Sequence, residues 1–209
     1  MSAVTSGFNP QQRIYTGGQT STYDSMRELF ETFDDNGNFT GLVARDLVHS
    51  LGLWHKSACV FLFNSNGELY VQRRATDKDL FADQWDYSVG EHLKPGESYL
   101  DGALRGLIEE LGIHTVVLAS LGLQRKSCWE IPEQNVRDCE MQQAYRGVYD
   151  GVIKADPLEV AEVRAISLAA LETWIAAEPA SFTPWFLRDL TELGIFRPTG
   201  STRADSGVA

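Results

Sequence analysis

The stretch Gly96-Glu97-Ser98-Tyr99-Leu100-Asp101-Gly102-Ala103-Leu104-Arg105-Gly106-Leu107-Ile108-Glu109-Glu110-Leu111-Gly112-Ile113 decides how this chain is read. Leu100, Ala103, Leu104, Leu107 and Leu111 fall at helical spacing, which predicts a helix over 98–111 with that stripe toward a core. Ser98 stands at the N-cap with Asp101 three residues on, and Gly112 follows the end as a stop. With Leu107 toward the core and about 100° per residue, Gly106 lies at about −100° and Glu110 at about −60°. Both share one flank of the buried face, so Glu110 is the carboxylate set beside a cleft. Arg105 and Glu109 lie nearly opposite the core, at about 160° and 200°. Glu109 can therefore be a solvated partner of Arg105 four residues earlier.

Upstream, Glu31–Gly41 sets an Asn-Gly turn between short runs and predicts a hairpin. The acidic turn residues do not form a calcium loop. Counting from Asp34, the sixth and twelfth positions, which such a loop fills with Gly and Glu, hold Phe39 and Arg45. Ser57–Phe63 and Glu68–Arg73 predict a second hairpin around Asn64–Gly67, and Trp85–Val89 a short strand. Downstream, strands are predicted at Thr115–Leu123, Gln124–Trp129 and Met141–Ile153, and a helix at Leu168–Ala177. A last helix starts with Thr183 as N-cap and Pro184 at its first position, and stops at Gly194. Strands, one central helix, more strands and closing helices make an α+β fold, not a βαβ repeat.

Tails without periodicity are expected to be disordered at 1–22 and 198–209, which leaves one domain over 23–197. At 209 residues and 43% hydrophobic, the chain can bury a full core. Eighteen basic against 29 acidic residues leave a net charge of −11, which repels nucleic acid and anionic membrane. An anionic small molecule then needs local cations or a metal. Cys59, Cys128 and Cys139 are odd in number and form no C-x-x-C pair, so no disulfide framework and a reducing compartment are expected. No leader-like apolar segment opens the chain, and its longest strongly apolar run, Ala58–Phe63, falls far short of the ~20 residues of a membrane span. The expected location is cytoplasmic.

Glu97, seven intervening residues, and then Arg105, Leu107, Glu109, Glu110, Gly112 and Ile113 resemble the Nudix box, G-x5-E-x7-R-E-U-x-E-E-x-G-U with U aliphatic. The resemblance implies a Nudix-like α/β/α sandwich with a mixed β-sheet and a loop–helix–loop catalytic motif. Two positions depart. The opening Gly is Glu91, with Gly90 beside it, and the Glu after the Arg is Gly106. The second removes a carboxylate that usually helps to bind metal or activate water.

From about Glu31 to Leu193 the chain resembles the branch of Nudix folds that includes type I isopentenyl diphosphate isomerase and hydrolase-like relatives. The segments that carry the likeness are His55 leading into Cys59–Asn64, Gln72-Arg73-Arg74, Trp85–His92, Asp138-Cys139-Glu140 and Phe182–Trp185. On that match Arg74 and Lys78 fall where the isomerase grips the diphosphate. His55, His92, Asp138 and Glu140 fall on its metal positions, with His49 one residue out of register, and Trp185 falls on a pocket aromatic. The isomerase's catalytic cysteine position is Gly90 here, which removes half of the acid–base pair that carbon protonation needs.

Each residue also has a plainer reading. The histidines can be surface or satisfied core groups, with His114 in a loop. Arg73, Arg74 and Lys78 can be a solvated strand end, Asp138 and Glu140 a polar loop, and Trp185 core. The reading taken forward is a Mg²⁺- or Mn²⁺-dependent Nudix-type hydrolase of a small organic diphosphate. Glu110 and Glu109 hold the metal, Arg74 and Lys78 orient the diphosphate, and His92 with Glu140 supplies a second metal or a base. The alternatives are a binding module on the same fold, marked by Gly106, and an isomerase.

Overall fold

The computed structural model describes residues 28–196. The tails expected at 1–22 and 198–209 lie outside the described residues. The chain opens with β1 (Leu29–Phe33), β2 (Phe39–Ala44) and α1 (Arg45–Leu51), then β3 (His55–Phe63), β4 (Leu69–Arg74), β5 (Trp85–Asp86) and β6 (Val89–His92). After α2 (Tyr99–Leu111) come β7 (Leu118–Ser120), β8 (Arg125–Ile131), β9 (Val136–Val148) and β10 (Val160–Ile166), and α3 (Leu168–Ala177) and α4 (Pro184–Glu192) close it.

β3 is the axis of the molecule. Its parallel partner β9 runs from His55 opposite Glu140 to Phe63 opposite Val148, while β6 pairs with it antiparallel. The large sheet has the order β10-β4-β3-β9-β7, with β5 on β4, β6 on β3 and β8 on β9. Alternation along β3 sends Cys59, Phe61 and Phe63 to one face, where they meet Leu171, Phe186 and Leu190 of α3 and α4. Ala58, Val60 and Leu62 go to the other and meet Ala103, Leu107 and Leu111 of α2. This two-sided burial, worth ~1.5–3 kcal/mol for each large side chain, accounts for an apolar run without polar alternation. The result is the expected α+β architecture, a mixed sheet between α2 and the α3–α4 pair.

α2 begins and ends where its caps predict. Ser98 accepts from the Asp101 N–H, and Gly112 ends the helix with φ +66°. The buried face differs from the predicted stripe. Leu100 is exposed and Leu104 half-buried, whereas Gly102 and Gly106 are buried with Ala103, Leu107 and Leu111. The helix docks through its glycines: a Cβ at Gly106 would sit 2.6 Å from Val89 Cγ1, so the helix backbone lies against β6.

Other boundaries moved for local reasons. The predicted strand Trp85–Val89 is split because the Ser88 hydroxyl, rather than a strand neighbour, accepts the Leu62 N–H at 2.8 Å. β9 starts at Val136 and ends at Val148 rather than spanning Met141–Ile153. α1 and β10 were not anticipated. α1 has seven residues, too few for a period to show, and β10 is an edge strand with mixed exposure.

The cysteine expectation is corrected outright. Cys128 and Cys139 face each other across the β8–β9 hairpin, Cα atoms 4.0 Å apart, and form a disulfide. Counting and C-x-x-C spacing cannot see a pair that strand register brings together, and the compartment inferred from that count loses its basis. No helix among the described residues is long and apolar enough to cross a membrane.

Candidate metal centre

Four elements converge at one end of the sheet. β3 begins with His55, β6 ends with His92, β9 carries Asp138, and α1 contributes His49. The three imidazoles lie 5.0–5.4 Å apart, centroid to centroid. Asp138 Oδ1 is 3.4 Å from His55 Nε2 and 3.7 Å from His49 Nε2. One ligand atom from each of the four falls within 4.8 Å of the others. Phe30 from β1 closes the cluster, its ring stacked on His55 at 5.3 Å and tilted against His92 at 4.8 Å.

The cluster's polar atoms are unspent. Nε2 of His49, His55 and His92 and Oδ1 of Asp138 are buried without a hydrogen-bond partner, a costly arrangement unless something else engages them. His55 Nδ1 donates to the Leu53 carbonyl at 3.0 Å, which leaves its Nε2 lone pair turned inward. Burial, aided by His92, His55 and Arg45, holds His49 down to about 2. It holds His92 well below the ordinary imidazole value, helped by Arg45, His55, Arg74 and Lys78. Asp138 is pushed up to about 7, first by burial and then by the Glu140 charge, with His55 opposing. Glu140, opposite His55 in register and 3.4 Å from His92 Nε2, is raised by burial. Three imidazoles and a carboxylate whose facing atoms have no partner are the donor set that a borderline divalent cation such as Mn²⁺, Fe²⁺ or Zn²⁺ takes, and the residues present fit such an ion.

The two helix glutamates separate. Glu110 is buried and accepts from Gln72 Nε2 at 2.8 Å. Its carboxyl is raised well above the ordinary range by burial and by the Glu91 charge, against Lys78. Glu109 is exposed and held by Arg105 Nη1 at 3.0 Å and Lys94 Nζ at 3.3 Å, apart from the imidazole cluster. Arg105 also grips Glu97 twice, at 2.7 and 2.9 Å.

Of the expected substrate-binding groups, Arg74 and Trp185 meet at a residue that the sequence reading assigned no role. Asp86 is buried and accepts from Arg74 Nη1 at 3.3 Å, from the Thr183 hydroxyl at 2.9 Å and from Trp185 Nε1 at 2.9 Å. It ties Arg74 and Trp185 together, the guanidinium 5.8 Å from the indole. Lys78 pairs with Glu159. His49, left out of register by sequence, is delivered by α1, and nothing in a seven-residue helix signals that placement. Phe30 and Gln72 were likewise missed, since each reads as an ordinary strand residue.

Gly90 lies opposite Cys59, and a Cβ there would meet only the Tyr87 ring, at 3.5 Å. Cys59 is fully buried and its thiol pushed well up, so it presents no acid–base group at this position.

Known proteins resemble this chain in sequence and in fold. The profile of the NUDIX domain family matches residues 53–186. The isopentenyl-diphosphate Delta-isomerase of Serratia proteamaculans is 31% identical over 173 residues, 81% of this chain and 93% of the relative. A protein of Pseudomonas aeruginosa named as a Nudix hydrolase is 39% identical over 98 residues, 47% of this chain and 58% of that one. A crystal structure of a Deinococcus radiodurans protein superposes with a TM-score of 0.60 at 23% identity, covering 79% of this chain and 96% of that one, a likeness of fold. The chain belongs to the NUDIX domain family, on the branch that resembles isopentenyl-diphosphate Delta-isomerase.

Proposed function

We propose that this protein is a divalent-metal-dependent hydrolase of the diphosphate linkage in a small organic diphosphate. The observation that carries the reading is the convergence of four side chains able to hold a metal beside a position with no acid–base side chain. His49, His55, His92 and Asp138 meet with buried, partnerless polar atoms, while Gly90 offers no group to protonate or deprotonate carbon.

His49, His55, His92 and Asp138 would hold one cation, and Glu110 on the buried flank of α2 would help to hold another beside the phosphates. A cation bound there neutralises phosphate charge and lowers the pKa of a water molecule. Arg74 and Lys78, whose charges act on His92, bind the phosphate oxygens, and Asp86 keeps the Arg74 fork in place. Trp185 packs against the organic group. Glu140 is the base: buried and raised, it takes the proton of the attacking water as the new O–P bond forms and the bridging P–O bond breaks. A surface of net charge −11 leaves a free dianion no other attraction, so the cations and metal also provide binding.

The test is purified protein with Mg²⁺ or Mn²⁺ and a panel of nucleoside, sugar, thiamine and prenyl diphosphates, with released phosphate and monophosphate measured. Metal-dependent release from at least one member supports the reading. Tight binding across metals without release overturns it in favour of a binding module.

A further inference from the structure

The two departures from the Nudix box meet in space. Glu91, which replaces the opening glycine, lies on β6 with its side chain on the α2 face, as Val89 does. Gly106, which replaces the motif glutamate, lies on α2 directly against it. A Cβ built at Gly106 would be 3.3 Å from Glu91 Cβ and 3.3 Å from Glu91 Oε2. The carboxylate missing from the helix therefore returns from the neighbouring strand, in the space where a side chain at 106 would start. Glu110 follows four residues later on the same flank, ~6 Å along the axis. Among neighbouring charges, that of Glu91 acts most strongly on Glu110.

Arg105 is the counter-ion that Glu91 has in the fold. Glu91 Oε2 is 3.1 Å from Arg105 Nη1, but Arg105 is already held by Glu97 through two bonds and by Glu109 through a third. A second observation points to a ligand. Gln72 is 96% buried by its 4% exposure, and its amide donates to Glu110 Oε2 at 2.8 Å. Its carbonyl oxygen Oε1 is left buried with no partner. Two carboxylates and an unpaired amide oxygen beside one helix flank form an all-oxygen donor set, the kind that a hard divalent cation takes.

We propose that Glu91 replaces the carboxylate lost at Gly106 and joins Glu110 and Gln72 Oε1 in holding a divalent cation on the α2 side of β6. His92, next along the strand, faces the imidazole centre on the opposite side, so one short strand serves two ion sites. The reading deepens the proposed function and rests on it for the use of that ion, but not for its binding.

The experiment is titration of the full chain with Mn²⁺, free ion followed by EPR and Mg²⁺ as competitor. The wild type is expected to show two classes of site, one displaced by Mg²⁺. Glu91→Gln is expected to weaken that class at least tenfold and leave the other unchanged, with Glu91→Asp intermediate. Circular dichroism and thermal melting establish that the variants fold. Unchanged Mn²⁺ affinity in Glu91→Gln, with or without a lower melting point, overturns the proposal and leaves Glu91 as a partner of Arg105. A Glu91-dependent site in a protein that cleaves no diphosphate supports the ion site and sinks the hydrolase. Cleavage with a Glu91-independent site does the reverse.

Discussion

Cys59 lies directly across the β3–β6 pair from Gly90, the thiol sealed in the core and the glycine open to solvent. The relatives named as isomerases thus share a fold with a chain that has a cysteine in the adjacent strand but none at the surface position. Because a Cβ at 90 meets only the Tyr87 ring, Gly90→Cys should fold with stability within about 0.5 kcal/mol of wild type. Its new thiol should react readily with Ellman's reagent in the native protein, while wild type shows no reactive thiol before denaturation. Wild type should also incorporate no deuterium from solvent into isopentenyl diphosphate. Incorporation would show that carbon acid–base chemistry survives without the thiol.

The imidazole cluster predicts a large effect of metal on stability. Stripping with EDTA exposes unpaired buried groups, and saturation at a hundred times the dissociation constant stabilises by about 2.7 kcal/mol. In a domain of this size that is a rise in melting temperature of roughly 5–10 °C. His49→Gln should lose most of it. An equal shift in the variant would place the stabilising ion elsewhere.

Asp86 offers a test of the buried network that positions Arg74. Asp86→Asn removes the charge facing the half-buried guanidinium, so the variant should unfold at lower denaturant with a loss of about 3 kcal/mol and an unchanged slope. A loss below about 1 kcal/mol would mean that Arg74 finds its place without Asp86.

How far the sequence was legible follows from range. The α2 caps, the Asn-Gly hairpin and the Thr183–Pro184 helix start are local signals, and each element formed where its residues place it. Asp138 and Glu140 share a face because β9 is extended, which two-residue spacing conveys. The convergence of His49 with His55 and His92 is different: α1 is short, and its position depends on packing against β1, β2 and β9. The Cys128–Cys139 bond and the meeting of Glu91 with Gly106 arise from strand register and helix docking. Neither leaves a trace in spacing along the chain. For the same reason Leu100 was misplaced, since the helix approaches β6 through glycine and turns its leucine flank outward.

The central claim is that a metal-assisted reaction depends on the buried flank of α2. The most direct measurement is metal-dependent phosphate release by Glu110→Gln beside Glu109→Gln, on the best substrate, with folding verified for both. Glu110 is buried and bonded to Gln72, whereas Glu109 sits among surface ion pairs. The account predicts that Glu110→Gln lowers turnover on the order of a hundredfold or more and Glu109→Gln by less than about tenfold. Wild-type turnover in Glu110→Gln, or the larger loss at Glu109, would contradict it.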